Sequence, residues 1–277
     1  MDLEAIKRAR ETRKSGSLVS ASNGIKELKS TLISKRSEIE NRIAVRSSQV
    51  ISQVSSLLKD NDTEIVAIFD CSGSVEGTER VTVESYINML NRELRKGYKT
   101  TVSTILFNDK DHVIHDRVDI KNVEKFNYTA VGGTKFFDTF CYHMKKIKSI
   151  HDKLPQSERP RKKLVVIMTD GGDNKSIRNG IIETNNLIET LKEDGWEFIY
   201  LCADKKLINV ARAIGIKSSN IEMYLTDGIK HNFEAVSRAL DDMHLLGEIT
   251  PEWSKPIKTS KLMLTDGNDK PNIYRLK

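Results

Sequence analysis

Asp70, Ser72 and Ser74 stand two residues apart just after an apolar run, Ile65-Val-Ala-Ile-Phe69, and offer one carboxylate and two hydroxyls. In a chain leaving a strand in near-extended form, positions i, i+2 and i+4 fall on one side, so the three oxygens converge. Gly73 lets the backbone bend between them. Such a set makes a poor acid/base pair but a fitting part-shell for a hard divalent cation, which takes oxygen ligands and leaves gaps for water. Two later stretches offer what is missing. Ala130-Val-Gly-Gly-Thr134 is a glycine turn ending in a hydroxyl, and Leu164-Val-Val-Ile-Met-Thr-Asp170 is a second apolar run ending in an acid.

The order Asp-x-Ser-x-Ser, then Thr, then Asp, at the ends of predicted strands, resembles the metal-ion-dependent adhesion site of von Willebrand factor type A domains. The resemblance covers roughly residues 62 to 245, and the stretch from Gly195-Trp-Glu-Phe-Ile-Tyr onward is similar to phage and bacterial members of unassigned role. Matched motif to motif, Asp70, Ser72, Ser74, Thr134 and Asp170 take the family's five coordinating positions. Hard oxygens in this mixture favour Mg²⁺ or Mn²⁺ over zinc. The resemblance implies a binding module that captures an Asp or Glu side chain of a protein partner through the bound cation. Helix N-termini expected after Ser74 and Asp170 add a positive dipole that suits an anionic visitor. Asp173 either joins the metal shell through water or caps the next helix.

A metal-dependent hydrolase or phosphotransferase is the alternative. It needs a nucleophile or base beside the metal. A haloacid-type phosphatase loop wants a second acid where Ser72 stands, and the chain holds no Gly-Lys-Ser/Thr P-loop, H-E-x-x-H or G-x-S-x-G. The calcium-loop pattern fails at Val75 and Val81. The chain is therefore read as a binding module and not as an enzyme. Thr-Asp-Gly recurs at 226–228 and 265–267; in the first copy Thr226 or Asp227 is expected to cap a helix.

The elements that position these residues follow from periodicity. Apolar runs at 64–69, 100–107, 164–168, 196–203 and 221–225 predict strands, and His112-Val-Ile-His115 the hairpin partner of the second, turning at Asn108-Asp109. His112 and His115 should then face opposite sides as solvated strand residues. Helical spacing marks 81–94 (closed by Gly97), 136–150, 177–191, 207–214 and 233–246. Asp138 is expected to serve as a first-turn helix acid. Strands alternating with helices in this way predict an α/β fold, a doubly wound, mostly parallel sheet with its ligand site at the carboxyl ends of the strands.

Three segments follow: a basic arm and long helix in 1–60, the α/β domain in 62–246, and a proline-containing tail in 247–277 that wraps the domain or waits for a partner. Of the net charge of +6, residues 1–60 carry +5, with 12 Lys/Arg against 7 Asp/Glu. That segment has no aromatic residue on which bases could stack, which argues against nucleic-acid binding. Residues 1–23 read as a poorly ordered arm. From Ile25 to Leu58, Leu28, Leu32, Ile39, Ile43, Val50 and Val54 repeat every eleven residues, predicting a long, nearly straight helix with a seam for a partner or a second copy. Lys35, Arg36, Arg42 and Arg46 occupy or flank that seam. No apolar run is long enough to span a membrane. Without a secretory h-region in the sequence, the cytoplasm is expected, the host's if a phage encodes the chain. Cys71, Cys141 and Cys202 form neither a disulfide framework nor a zinc pattern, and Cys71 is expected to point into the core.

Overall fold

The computed structural model describes residues 4, 7, 29–51, 53 and 62–265. The chain divides into two units, Met1–Leu57 and Leu58–Lys277.

In the first unit, residues 29–51 and 53 are helical, and all of them are exposed. Leu32, Ile39, Ile43 and Val50, on the eleven-residue stripe, are 56–65% exposed. The remaining seam positions Leu28 and Val54, the helix ends and most of the 1–23 arm lie outside the described residues.

The second unit is a six-stranded sheet between two helical layers. Its strands are β1 (Thr63–Asp70), β2 (Thr100–Phe107), β3 (Asp111–Asp119), β4 (Lys162–Thr169), β5 (Trp196–Cys202) and β6 (Ile221–Met223), in the order β3-β2-β1-β4-β5-β6. All neighbours are parallel except the β2–β3 hairpin. The helices are α1 (Glu79–Arg95), α2 (Phe136–Lys153), α3 (Ile181–Glu193), α4 (Lys205–Ala213), α5 (Ile229–Leu246) and α6 (Lys255–Thr265). This is a doubly wound α/β fold. Every residue of β1 is buried, because helices cover both faces. Ile65, Ala67 and Phe69 pack with Tyr86 and Leu90 of α1 and Phe233 and Val236 of α5; Val66 and Ile68 pack with Phe140 and Met144 of α2 and Ile188 of α3. Strand order reverses between β1 and β4, and such a switch point opens a crevice beyond the strand ends.

Several local expectations are corrected. His112 is exposed, but His115 is buried and bonds Thr104 Oγ1 (3.0 Å) and the Glu124 carbonyl (3.2 Å). The helix predicted from 177 starts at Ile181, since the N–H groups of residues 177–179 are taken by Asp138. The N-cap of α5 is Gly228 with no side-chain bond, so neither Thr226 nor Asp227 caps it. Up to Thr265 the C-terminal stretch packs on the domain, one of the two roles expected for it. Trp253 is 0% exposed and donates Nε1–H to the Ser219 carbonyl at 2.7 Å, while Ile257 of α6 joins the same core.

At the amino end of β1, Glu64 is fully buried between Arg117, which donates from Nε and Nη2 at 2.8 and 3.0 Å, and His151 Nε2 at 2.7 Å. Burial pushes its carboxyl up, but the bonds and charges of His151 and Arg117 outweigh that and hold it below the usual range. An acid with a lowered folded pKa stabilises above its unfolded value and loses that stabilisation as pH falls through the folded one. Glu64→Gln is therefore expected to destabilise by about 3–5 kcal/mol in urea titrations at pH 7. The gap from wild type should narrow below about pH 4, near the free glutamate value.

Candidate metal centre

Three loops meet at the carboxyl edge of the sheet. The loop after β1 is laced to the 130–133 turn by Val131 N–H to Cys71 O (2.9 Å) and Gly73 N–H to Gly132 O (3.1 Å). Gly132 has φ +83°, which favours glycine, and a side chain there would also have to displace the Asp109 carboxylate. The loop after β4 joins Thr134 reciprocally: Asn174 N–H donates to Thr134 O and Thr134 N–H to Asn174 Oδ1, both at 2.9 Å.

Within this frame the five predicted oxygen donors come together. Asp70 Oδ1 accepts from Ser72 N–H (2.8 Å) and Oδ2 from Thr169 Oγ1 (2.6 Å). The Ser72 and Ser74 hydroxyls lie 3.0 Å apart, and Ser74 Oγ donates to Asp170 Oδ1 at 2.6 Å. Thr134 Oγ1 and Ser74 Oγ lie 3.5 and 3.8 Å from where a Cβ on Gly171 would sit, which brings the third hydroxyl into the same neighbourhood. The means differ in part from expectation. Ser72 is extended (φ −66°, ψ 168°), but Ser74 sits in a 3-10 turn, Gly73–Val75, that turns it back over Ser72.

The helix dipole is also differently placed. No helix begins directly after Asp170; α2, starting two residues after Thr134, is the one that opens at the site. Its N-terminus is met by Asp173, whose Oδ2 accepts from Phe137 N–H (2.8 Å) and Ser176 Oγ (2.6 Å). Asp173 thus caps the helix that precedes it in the chain and not the next one. Asp138, in the first turn of α2, reaches out to accept from the N–H groups of Ile177, Arg178 and Asn179. Burial raises its pKa, but those four loop bonds together, Asn179 Nδ2 included, outweigh that and leave it below the ordinary value.

Thr169, Asn174 and the loop-holding part of Asp138 escaped the sequence reading. Thr169 was legible as the hydroxyl beside Asp170 in a strand next to β1; nothing marks Asn174 before the loops are folded.

Burial raises the pKa of Asp70, helped by the Asp170 charge and opposed by the Ser72 and Thr169 bonds. Burial likewise raises that of Asp170, against the Ser74 bond. The donor set of two such carboxyls and three hydroxyls fits a hard cation, which would hold both acids ionised. Among the described residues no group of three His, Cys, Asp or Glu side chains forms a softer site. Cys71 is buried, with its thiol pushed up to about 12 by burial and then by Asp70.

No protein-family model matches the chain, and no curated protein does. Solved structures similar to it include proximal thread matrix protein 1 from the mussel byssus (15% identity, TM-score 0.46, 64% of this chain and 46% of that one). Another is the vWF domain of the type V pili tip protein Mfa5 from Porphyromonas gingivalis (11%, 0.49, 68% and 98%). A third is von Willebrand factor type A from Catenulispora acidiphila (14%, 0.44, 65% and 43%). The chain spans about half the length of the mussel protein. Among the described residues, no helix is long and apolar enough to cross a membrane.

Acids with raised folded pKa values lower stability as pH climbs through those values. Asp70→Asn keeps the shape and can still accept from Ser72 N–H, so in chelator it is expected to melt at or above wild type at pH 8. That advantage should vanish near pH 4, as differential scanning fluorimetry can show.

Proposed function

We propose that the chain is a metal-dependent protein-binding module of von Willebrand factor A type, in which Asp70, Ser72, Ser74, Thr134 and Asp170 hold Mg²⁺ or Mn²⁺ and a partner's Asp or Glu carboxylate completes the shell. One contrast carries the reading. Both ends of β1 bear a buried acid, but Glu64 is answered by Arg117 and His151, whereas Asp70 and Asp170 have hydroxyl and amide donors and no ion pair among the described residues. When bound, the cation supplies positive charge and open positions that favour an anionic oxygen. Ser72, Ser74 and Thr134 add no charge, so the two carboxylates balance the divalent cation without exceeding it, and an incoming acid can still coordinate at an open position.

Among the described residues, no carboxyl or thiol bonded into the site favours the hydrolase reading. The carboxyls nearest the site are committed to holding loops or hydroxyls, and a thiol with a pKa of about 12 supplies almost no thiolate at neutral pH. In calorimetry, wild type is expected to take up one Mn²⁺ and Asp70→Ala none. Excess Mg²⁺ at a hundred times its Kd should add about 2.7 kcal/mol to wild-type stability. Phosphate esters and peptides should not turn over; Mn²⁺ uptake by Asp70→Ala, or hydrolysis lost in Asp170→Ala, would refute the assignment.

The exposed stripe of Leu32, Ile39, Ile43 and Val50 supports a second element of the proposal, self-association through the 25–58 helix. Light scattering at tens of micromolar should show the full chain as an oligomer and the Ile39→Asp, Ile43→Asp double variant as a monomer. Because Arg36 and Arg46 lie on or beside the seam, salt should strengthen a self-pair by screening.

A further inference from the structure

Beside the metal centre the chain holds an exposed loop more firmly than its position on the surface requires. Seven consecutive backbone N–H groups, residues 174 to 180, are all satisfied without a helix or strand. Asn174 and Lys175 donate to the Thr134 carbonyl, Ser176 to Asp173, Ile177, Arg178 and Asn179 to Asp138, and Gly180 to Glu183. Three carboxylates and one carbonyl thus fix a segment that buries little of itself.

What the loop displays is an apolar side chain. Ile177 is 87% exposed, and the apolar exposure continues along the chain with Ile182 at 71%. Lys175 and Arg178 on either side are exposed as well. Lys175 lies against Gly133, next to Thr134, and its backbone N–H is on the Thr134 carbonyl, so Ile177 two residues later is within about 7 Å of chain reach from that point. An isoleucine kept in water gains nothing for the fold, while one held rigid needs little further ordering to bury against a partner.

Resting on the metal-dependent reading above, we propose that residues 174–178 form a preformed lip that selects the partner: the acid captured at the metal is flanked by an apolar side chain that covers Ile177. The occupant is a protein segment of acidic character, since Arg178 presents positive charge along the approach and a bound cation would present an open position to a carboxylate, while Lys175 is paired with Asp109 at 3.4 Å. Asp138 acts as a positioning residue, because it fixes the backbone of Ile177 to Asn179 and touches no ligand.

A displayed library of random peptides with a central Asp or Glu, panned on the full chain in Mg²⁺, tests this. Enriched peptides should carry an apolar residue within a few positions of the acid, and their affinity should fall about tenfold or more in Ile177→Ser. Mn²⁺ uptake, which does not involve Ile177, serves as the control for folding. Asp138→Asn, which frees the loop but leaves Ile177 in place, should weaken the same peptides. No enrichment, enrichment without an apolar preference, or equal binding by Ile177→Ser would overturn the lip. Peptides that depend on Ile177 but bind equally in chelator and to Asp70→Asn would keep the lip and overturn the metal reading instead.

Discussion

Two carboxyl groups stand at the ends of neighbouring parallel strands, Asp70 buried and Asp170 half-buried, and the carboxyl edge of this domain is arranged around the cost of keeping them from water. Asp70 ends β1 and Asp170 follows β4, the pair of strands at which the sheet changes direction. The chain meets them with neutral donors only: a backbone N–H, the Thr169 hydroxyl and the Ser74 hydroxyl. Neutral hydrogen bonds lower a carboxyl pKa less than burial raises it here, so both acids stay above their ordinary values. An arginine in their midst would remove the strain and fill the crevice, as Arg117 does for Glu64 at the far end of the same strand.

Holding hydroxyls on that pair needs three loops in fixed register, and most of their hydrogen bonds run between loops. Asn174 and Thr134 exchange bonds, Asp173 crosses to the start of α2, and Asp138 crosses back. Each acid is satisfied by several backbone donors at once, which sets geometry more firmly than one salt bridge between long side chains. The candidate metal centre and the displayed 174–178 segment are therefore two outcomes of one lattice of carboxylate-to-amide bonds.

The framework was legible because burial on both faces leaves an unmistakable mark: Ile65 to Phe69 and Leu164 to Met168 contain no polar residue, and such runs form interior parallel strands. The five oxygen donors were legible too, since each stands where a strand or a glycine turn stops. Bonds between loops were not. Ile177 lies in phase with the helix that follows, and periodicity cannot show that Asp138, 39 residues earlier, takes its N–H. His115 was misjudged for a related reason: an edge strand was expected to be wet, but the chain after it returns to cover that face and offers the Glu124 carbonyl. Trp253 gave a fair sign that the tail belonged to the core, as a tryptophan needs both an apolar bed and a partner for its N–H.

A single carboxylate on a metal, with one isoleucine beside it, makes a small contact, and small contacts are weak because association costs much the same whatever the area. Such modules gain strength by repetition, since a second linked site acts at a high effective concentration once the first is engaged. The helix in the first unit is suited to supply it. Its apolar stripe is exposed, and Arg36 and Arg46 beside it would keep the proposed pairing modest. With pairing of that strength, the proposed module would gather where its ligands are dense and separate where they are not, so the density of acidic segments on the partner, more than the affinity of one site, would decide where it binds.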